Sequence, residues 1–179
     1  DTVAAWTSMV AVSKEAFGAL YARLDSDLTA EHVAGESSYN QDLADVVQEL
    51  AAQGLVVESE GALCAFLPGF ADRSGAPLPL LVQKSDGGYG YGATDLAALR
   101  HRVQDLGADR VLYVVDARQA LHFKQVFALA TAAGWLGGAQ AVHVPFGTVL
   151  GDDGKPFKTR NGSVVTLGSL LDDAEELAG

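Results

Sequence analysis

The feature that most constrains this chain is a regular exchange of short apolar runs and amphipathic runs from residue 80 onward. Leu80–Gln83 reads as a short strand and Gly87-Gly88 as a tight turn. A helix follows in which Leu96, Leu99, Val103 and Leu106 share one face. Thr94 is placed to cap its start and Gly107 to end it. Val111–Val115 is apolar throughout and reads as a buried strand. A helix over about 120–133, stopped by Gly134, and a strand over Ala141–Pro145 complete the pattern. Strands separated by helices need crossover connections, so the sequence predicts a parallel sheet layered with helices. Ligands of such sheets lie beyond the carboxyl ends of the strands. The loops at 84–94, 116–122 and 147–162 are therefore expected at the chemical end.

The first part of the chain follows another rule. Val3, Trp6, Val10, Phe17, Leu20, Tyr21 and Leu24 recur at helical spacing, and Gly18 weakens that helix without stopping it. After a polar connection, a second helix starts near Asn40 or Gln41, runs through Leu43, Val46, Val47 and Leu50, and stops at Gly54. Leu55–Glu58 and Ala62–Leu67 flank a polar, glycine-containing turn and predict a hairpin. Prolines and glycines (Pro68-Gly69, Gly75, Pro77, Pro79) make residues 68–79 a loop. Residues 1–75 thus read as an α+β attachment to the α/β part.

Composition excludes several classes. The 179 residues favour one domain with at most a small attachment. No apolar run approaches the roughly 18 residues of a membrane span, and no secretory leader is visible. A single cysteine, Cys64, excludes an internal disulfide and an all-cysteine zinc site, and fits a small core residue in a reducing cytoplasm. The formal net charge of −11 argues against a self-sufficient nucleic-acid module.

Three loops carry candidate chemistry. The glycine-rich run Gln83–Asp95 lacks the Gly-Lys-Ser/Thr of a phosphate-binding loop. It brings a phenol, Tyr91, and a carboxylate, Asp95, to one side of a helix opening, where they suit a guanidinium ion. The plainer alternative is that Asp95 serves the helix dipole and Tyr91 is a half-buried strand residue. Gln119, just past the apolar strand, can offer an amide oxygen to a cation, with His122 near one helical turn on; alternatively Gln119 starts a helix and His122 is a satisfied half-buried histidine. In the third loop Lys155, Lys158 and Arg160 fall within six residues. That loop can close over polyphosphate and stabilise its developing charge, or it is a solvated turn.

Taken together and in order, the stretches VQKSDGGYGYGATDLA (82–97), DRVLYVVDARQALHFKQVF (109–127) and VPFGTVLGDDGKPFKTRNGSVVTL (144–167) resemble bacterial arginyl-tRNA synthetases. AGESSYN (34–40) and residues 62–70 resemble the insertion that precedes this half in that family. The resemblance implies the second half of the Rossmann-like catalytic domain of a class I synthetase (76–167), an α+β insertion (1–75) before it, and the start of a helical region (168–179). It implies an arginine pocket of Tyr91, Asp95 and Gln119. His122, Val144, Phe146, Gly147 and Lys158 would lie on ATP, with Phe123 a neighbour. Lys155 and Lys158 would serve the signature loop as catalytic cations. Pro156-Phe157-Lys158-Thr159-Arg160 departs from the usual Lys-Met-Ser-Lys-Ser form, so the critical charge falls to Lys155, to Lys158 or to a lysine outside these residues.

The implied reaction has two steps: ATP-dependent formation of arginyl-adenylate, with Mg2+ accompanying ATP and no protein-bound metal, then transfer to tRNA(Arg). The partners implied are L-arginine, ATP and tRNA(Arg), with no membrane. The four histidines are isolated and no His-Ile-Gly-His segment is present, so the 179 residues are expected not to charge tRNA alone. A truncated paralogue acting as an arginine-binding or regulatory module is the alternative. An unrelated α/β nucleotide-binding domain is a further one, and it predicts no dependence on arginine.

Overall fold

The computed structural model describes residues 1–147 and 166–179. They fall into two units, one from residues 35–147 and one from 1–34 with 166–179.

The larger unit is a mixed α/β body. A 3-10 turn, Glu36–Tyr39, leads into α2 (Leu43–Ala52), α1 being the N-terminal helix described below. Leu43, Val46, Val47 and Leu50 form the buried stripe of α2 that their spacing predicts. The expected hairpin is β1 (Val57–Ser59) and β2 (Ala62–Ala65). Its two-residue loop has both Glu60 and Gly61 at positive φ, as the tight primed turn between twisted strands requires.

Next come β3 (Leu80–Gln83), α3 (Tyr91–Gln104), β4 (Arg110–Asp116), α4 (Ala120–Ala132) and β5 (Gln140–Phe146). β4 and β5 are parallel and in register from Arg110↔Gln140 to Asp116↔Phe146, with α4 as the crossover. β3 differs from expectation: it pairs antiparallel with β2 and makes the third strand of the hairpin's sheet. A short apolar run before a helix does not encode pairing direction, and here the edge of β2 supplies the partner. The helix start also moves. α3 begins at Tyr91 with Gly90 before it, so Thr94 lies inside the first turn. α2 and α4 end next to Gly54 and Gly134, as expected; α3 ends earlier, at Gln104, so Leu106, expected on its buried face, lies past the helix and is 67% exposed.

One continuous core joins these elements. Val46, Leu50, Val82, Leu96, Leu99, Val126 and Leu129 are all fully enclosed. Gly134 (φ 74) turns the chain out of α4 so that Trp135 drops back into the core. The Trp135 indole donates to Glu49 Oε1 at 2.6 Å, and Arg100 of α3 donates to Glu49 Oε2 at 2.8 Å. Glu49 thereby ties α2 to α3 and to the end of α4.

The parallel pair has one buried and one open face. Val111 and Tyr113 of β4 point into the core, while Leu112 and Val114 are 53% and 63% exposed. Their register partners Val142 and Val144 extend the open apolar face, which ends at Phe146, 52% exposed. The wholly buried strand expected over Val111–Val115 is therefore buried on one face only.

The smaller unit holds α1 (Thr2–Arg23) and α5 (Leu167–Ala178). Asp1 caps α1 by accepting from the Val3 amide, and a reciprocal Thr166–Ser169 box caps α5. Arg23 forms ion pairs with Asp172 and Glu175 of α5. No residue of either helix is buried. The apolar stripe expected along α1 is present, but Trp6 and Phe17 remain about half exposed.

Candidate functional site

At the carboxyl end of β4 a cavity of about 510 Å³ opens between the first turn of α3, the segment after β4 and the start of α4. That volume lies in the usual range for small-molecule sites. Val115 and Phe123 give it an apolar floor, and its polar groups are Glu36, Tyr91, Asp95, Gln119 and His122.

The position of α3 depends on a glycine. A Cβ on Gly92 would stand 2.6 Å from the carbonyl oxygen of Leu81 and 3.2 Å from a Leu80 methyl. Only glycine lets the helix start lie this close to β3. The glycine-rich run is thus explained in part by close packing of helix on strand, with no phosphate required. Below it, Asp86 Oδ1 accepts from the Gly88 amide at 2.8 Å, and the Lys84 amide bonds the Gly88 carbonyl at 2.7 Å, closing the tight turn. From this start Tyr91 projects with 71% exposure, and Asp95 follows one turn later.

Gln119 sits in a 3-10 turn, Ala117–Gln119, organised by Asp116. Asp116 accepts from the Arg118 amide (2.8 Å), from its Nε (2.9 Å) and from its Nη2 (2.8 Å). Those hydrogen bonds and the guanidinium charge hold the Asp116 carboxyl at about 2, below its ordinary value of 3.8. Glu36 enters from the 3-10 turn Glu36–Tyr39, whose Tyr39 is buried in the core.

His122, on α4, hydrogen-bonds Asp95 across the cavity, Nε2 to Oδ2 at 2.6 Å. Its ring meets Phe123 edge-on at 5.1 Å between centroids. Phe123 in turn lies 4.9 Å from Tyr113 and 5.5 Å from His143. Burial pushes the Tyr113 phenol up against the opposing pull of Arg102, whose Nη1 donates to the Tyr113 oxygen at 3.0 Å.

Two carboxylates, a phenol and an amide around one cavity, with no lysine or arginine among its lining residues, are groups able to accept hydrogen bonds and charge from an organic cation. The structure brings Tyr91, Asp95, Gln119, His122 and Phe123 together, as their sequence positions suggest. Val144, Phe146 and Gly147 lie at the carboxyl end of β5 and do not line this cavity. Lys155 and Lys158 lie outside the described residues. Two features escaped the sequence. Glu36 lies some fifty residues before the other lining groups and carries no local signature, though it stands in the AGESSYN segment. The pairing of His122 with Asp95 joins two helices 27 residues apart, which no local spacing encodes.

Comparison with known proteins places the site in context. The family model for the catalytic domain of class I tRNA synthetases (R) matches residues 1–179. The chain is 52% identical over 178 residues to the arginine–tRNA ligase of Thermobifida fusca, covering 99% of this chain and 31% of the relative. It is 55% identical over 175 residues to that of Frankia casuarinae, covering 97% of this chain and 30% of the relative. The crystal structure of arginyl-tRNA synthetase from Plasmodium falciparum superposes with a TM-score of 0.78 at 33% identity, over 97% of this chain and 27% of that one. The Thermus thermophilus arginyl-tRNA synthetase superposes with a TM-score of 0.58 at 21% identity, over 76% of this chain and 28% of that one, a likeness of fold.

Proposed function

The chain belongs to the catalytic-domain family of class I tRNA synthetases (R), and from that premise we propose that it is the arginine-recognising part of an arginine–tRNA ligase. It spans about 31% of the length of the T. fusca relative, so the activity is proposed for the full-length protein that carries these residues. The observation that supports the reading is the cation-accepting cavity of Asp95, Glu36, Tyr91 and Gln119.

In this reading the guanidinium of L-arginine lies between Asp95 and Glu36. Tyr91 and Gln119 supply further acceptors and a flat flank. Lysine is discriminated against because a compact ammonium cannot use a fork suited to planar paired donors. The α-carboxylate of arginine then attacks the α-phosphate of ATP, releasing pyrophosphate, and the terminal ribose of tRNA(Arg) takes the arginyl group. A carboxylate is already a competent nucleophile at neutral pH, so the first step calls for positioning and charge stabilisation rather than a base. Val144, Phe146 and Gly147, at the end of β5, are assigned to the adenine side. Lys155 and Lys158 are assigned to supply positive charge on the phosphates. Mg2+ enters as the counter-ion of the ATP substrate. No group of three or more potential metal ligands occurs among the described residues. No described helix is long and apolar enough to cross a membrane.

The test is arginine-dependent ATP–pyrophosphate exchange by the full-length protein, with tRNA present. Asp95→Asn should remove the exchange, since deleting one charge of a hydrogen-bonded ionic contact shielded by the bound ligand costs on the order of 2–5 kcal/mol. Near-normal exchange in that variant would refute the pocket assignment. Neutralising Lys158 should slow adenylate formation more than it weakens arginine binding. An unchanged rate would move that role to Lys155 or another lysine.

A further inference from the structure

The Asp95–His122 hydrogen bond makes a statement about specificity that the family assignment does not contain. We propose that His122 is a positioning residue for arginine: it holds the Asp95 carboxylate in the one orientation in which the guanidinium can engage it. The proposal rests on the arginine reading of the cavity.

Asp95 stands at the fifth position of α3 with its side chain 28% exposed, and a carboxylate so placed can turn about its side-chain bonds. Among the described residues it has one hydrogen-bond partner, His122 Nε2 at 2.6 Å, a short, charge-assisted contact. A carboxylate only accepts, so Nε2 carries the hydrogen. One lone pair of Oδ2 is thereby occupied, while Oδ1 and the other lone pair of Oδ2 have no hydrogen-bond partner among the described residues, on a side chain that lines the cavity. That is the surface a two-pronged guanidinium needs. The neighbouring polar side chains are engaged elsewhere: the Tyr113 hydroxyl is bonded by Arg102, and Asp116 is held by Arg118. The imidazole is itself fixed by its edge contact with Phe123, which is buried. The chain of restraint runs from the core through Phe123 and His122 to Asp95. Fixing an acceptor before the ligand arrives lowers the ordering cost of binding.

This assignment differs from a place beside the nucleotide, and kinetics separate the two. In the full-length protein, pyrophosphate exchange would be measured against arginine and against ATP for wild type, Asp95→Asn, His122→Ala and His122→Gln. Glutamine can present an amide N–H near the place of Nε2 without an ionisable ring. His122→Ala should raise the KM for arginine by about tenfold and leave the KM for ATP within about twofold. His122→Gln should recover most of the arginine affinity. An unchanged arginine KM in His122→Ala overturns the proposal, and so does a rise confined to ATP. Equal losses in kcat and both KM values, with no recovery in His122→Gln, also overturn it, since they would mark a brace between helices. A wild type that shows no arginine dependence sinks the function along with this inference. A wild type that needs arginine and Asp95 but ignores His122 sinks the inference alone.

Discussion

Helices α1 and α3 carry opposite messages about what a helix sequence reveals. α1 is rich in large apolar residues (Val3, Trp6, Met9, Val12, Phe17), and none of its residues is buried. α3 is studded with Thr94, Asp95, Arg100, His101 and Arg102, yet encloses Gly92, Ala93, Leu96, Ala97, Ala98 and Leu99. The difference is partnership. α3 has β3, α2, α4 and β4 packed about it, and small residues there let backbones approach. Apolar content tells what a helix can bury, and neighbours decide whether it does.

The comparison can be pressed by substitution. Leu99→Ala should destabilise most, by about 2–5 kcal/mol, because it opens a void in an enclosed core; chemical denaturation reads it, and a cost below about 1 kcal/mol would break the contrast. Gly92→Ala should cost about 1–3 kcal/mol, since the new methyl meets a strand carbonyl that has little room to retreat. It should also weaken arginine binding, because Tyr91 and Asp95 ride on the displaced helix start. On α1, Trp6→Ser in these 179 residues alone should change stability by no more than about 0.5 kcal/mol. The same substitution in the full-length protein sharpens the point: a loss of about 1.5–3 kcal/mol there would mean that α1 is covered by other parts of the chain.

The smallest effect concerns Asp116. Its carboxyl is held at about 2 against an ordinary 3.8, so its ion pair with Arg118 contributes above about pH 4 and fades as pH falls through 2. Arg118 is 80% exposed, so solvent screens the pair and little global stability depends on it. Carbon-detected NMR of the Asp116 carboxyl should follow this titration, and Arg118→Ala should return the midpoint toward the ordinary value. A midpoint unmoved by that substitution would assign the shift to another cause.

Much of the larger unit was legible because its signals are local. The α2 stripe, the hairpin around Glu60-Gly61 and the glycine stops after α2 and α4 each rest on a few adjacent residues. The βαβ step from β4 to β5 was legible because a helix between two apolar runs leaves few other connections. What could not be read depends on contacts far apart in sequence. β3 gave no sign of its antiparallel partner, because direction is set by the free edge of β2. Thr94 looked like a helix cap, but the close approach of Gly92 to Leu81 lets α3 start four residues earlier, with Gly90 in the cap position. Of the cavity, Tyr91 and Asp95 could be picked out by type and spacing as groups that suit a guanidinium, and Gln119 as an amide acceptor; what the structure adds is that all three line one cavity. Glu36 did not, because its turn enters the cavity through tertiary packing alone. The buried-strand reading of Val111–Val115 held for one face only: an apolar run states that both faces need cover, not that both receive it from these residues.

That open face of the parallel pair has a practical meaning for anyone handling the protein. Leu112, Val114, Val144 and Phe146 form an oily plane beside strand edges that are unpaired among the described residues. Produced by themselves, these residues should be sticky at high concentration, and light scattering should grow with concentration and with salts that strengthen apolar association. A second polypeptide that lays a helical layer on that plane would act as a solubilising mate. Loss of scattering on mixing would then serve as a simple assay for reassembly, with the sheet face as the reporter.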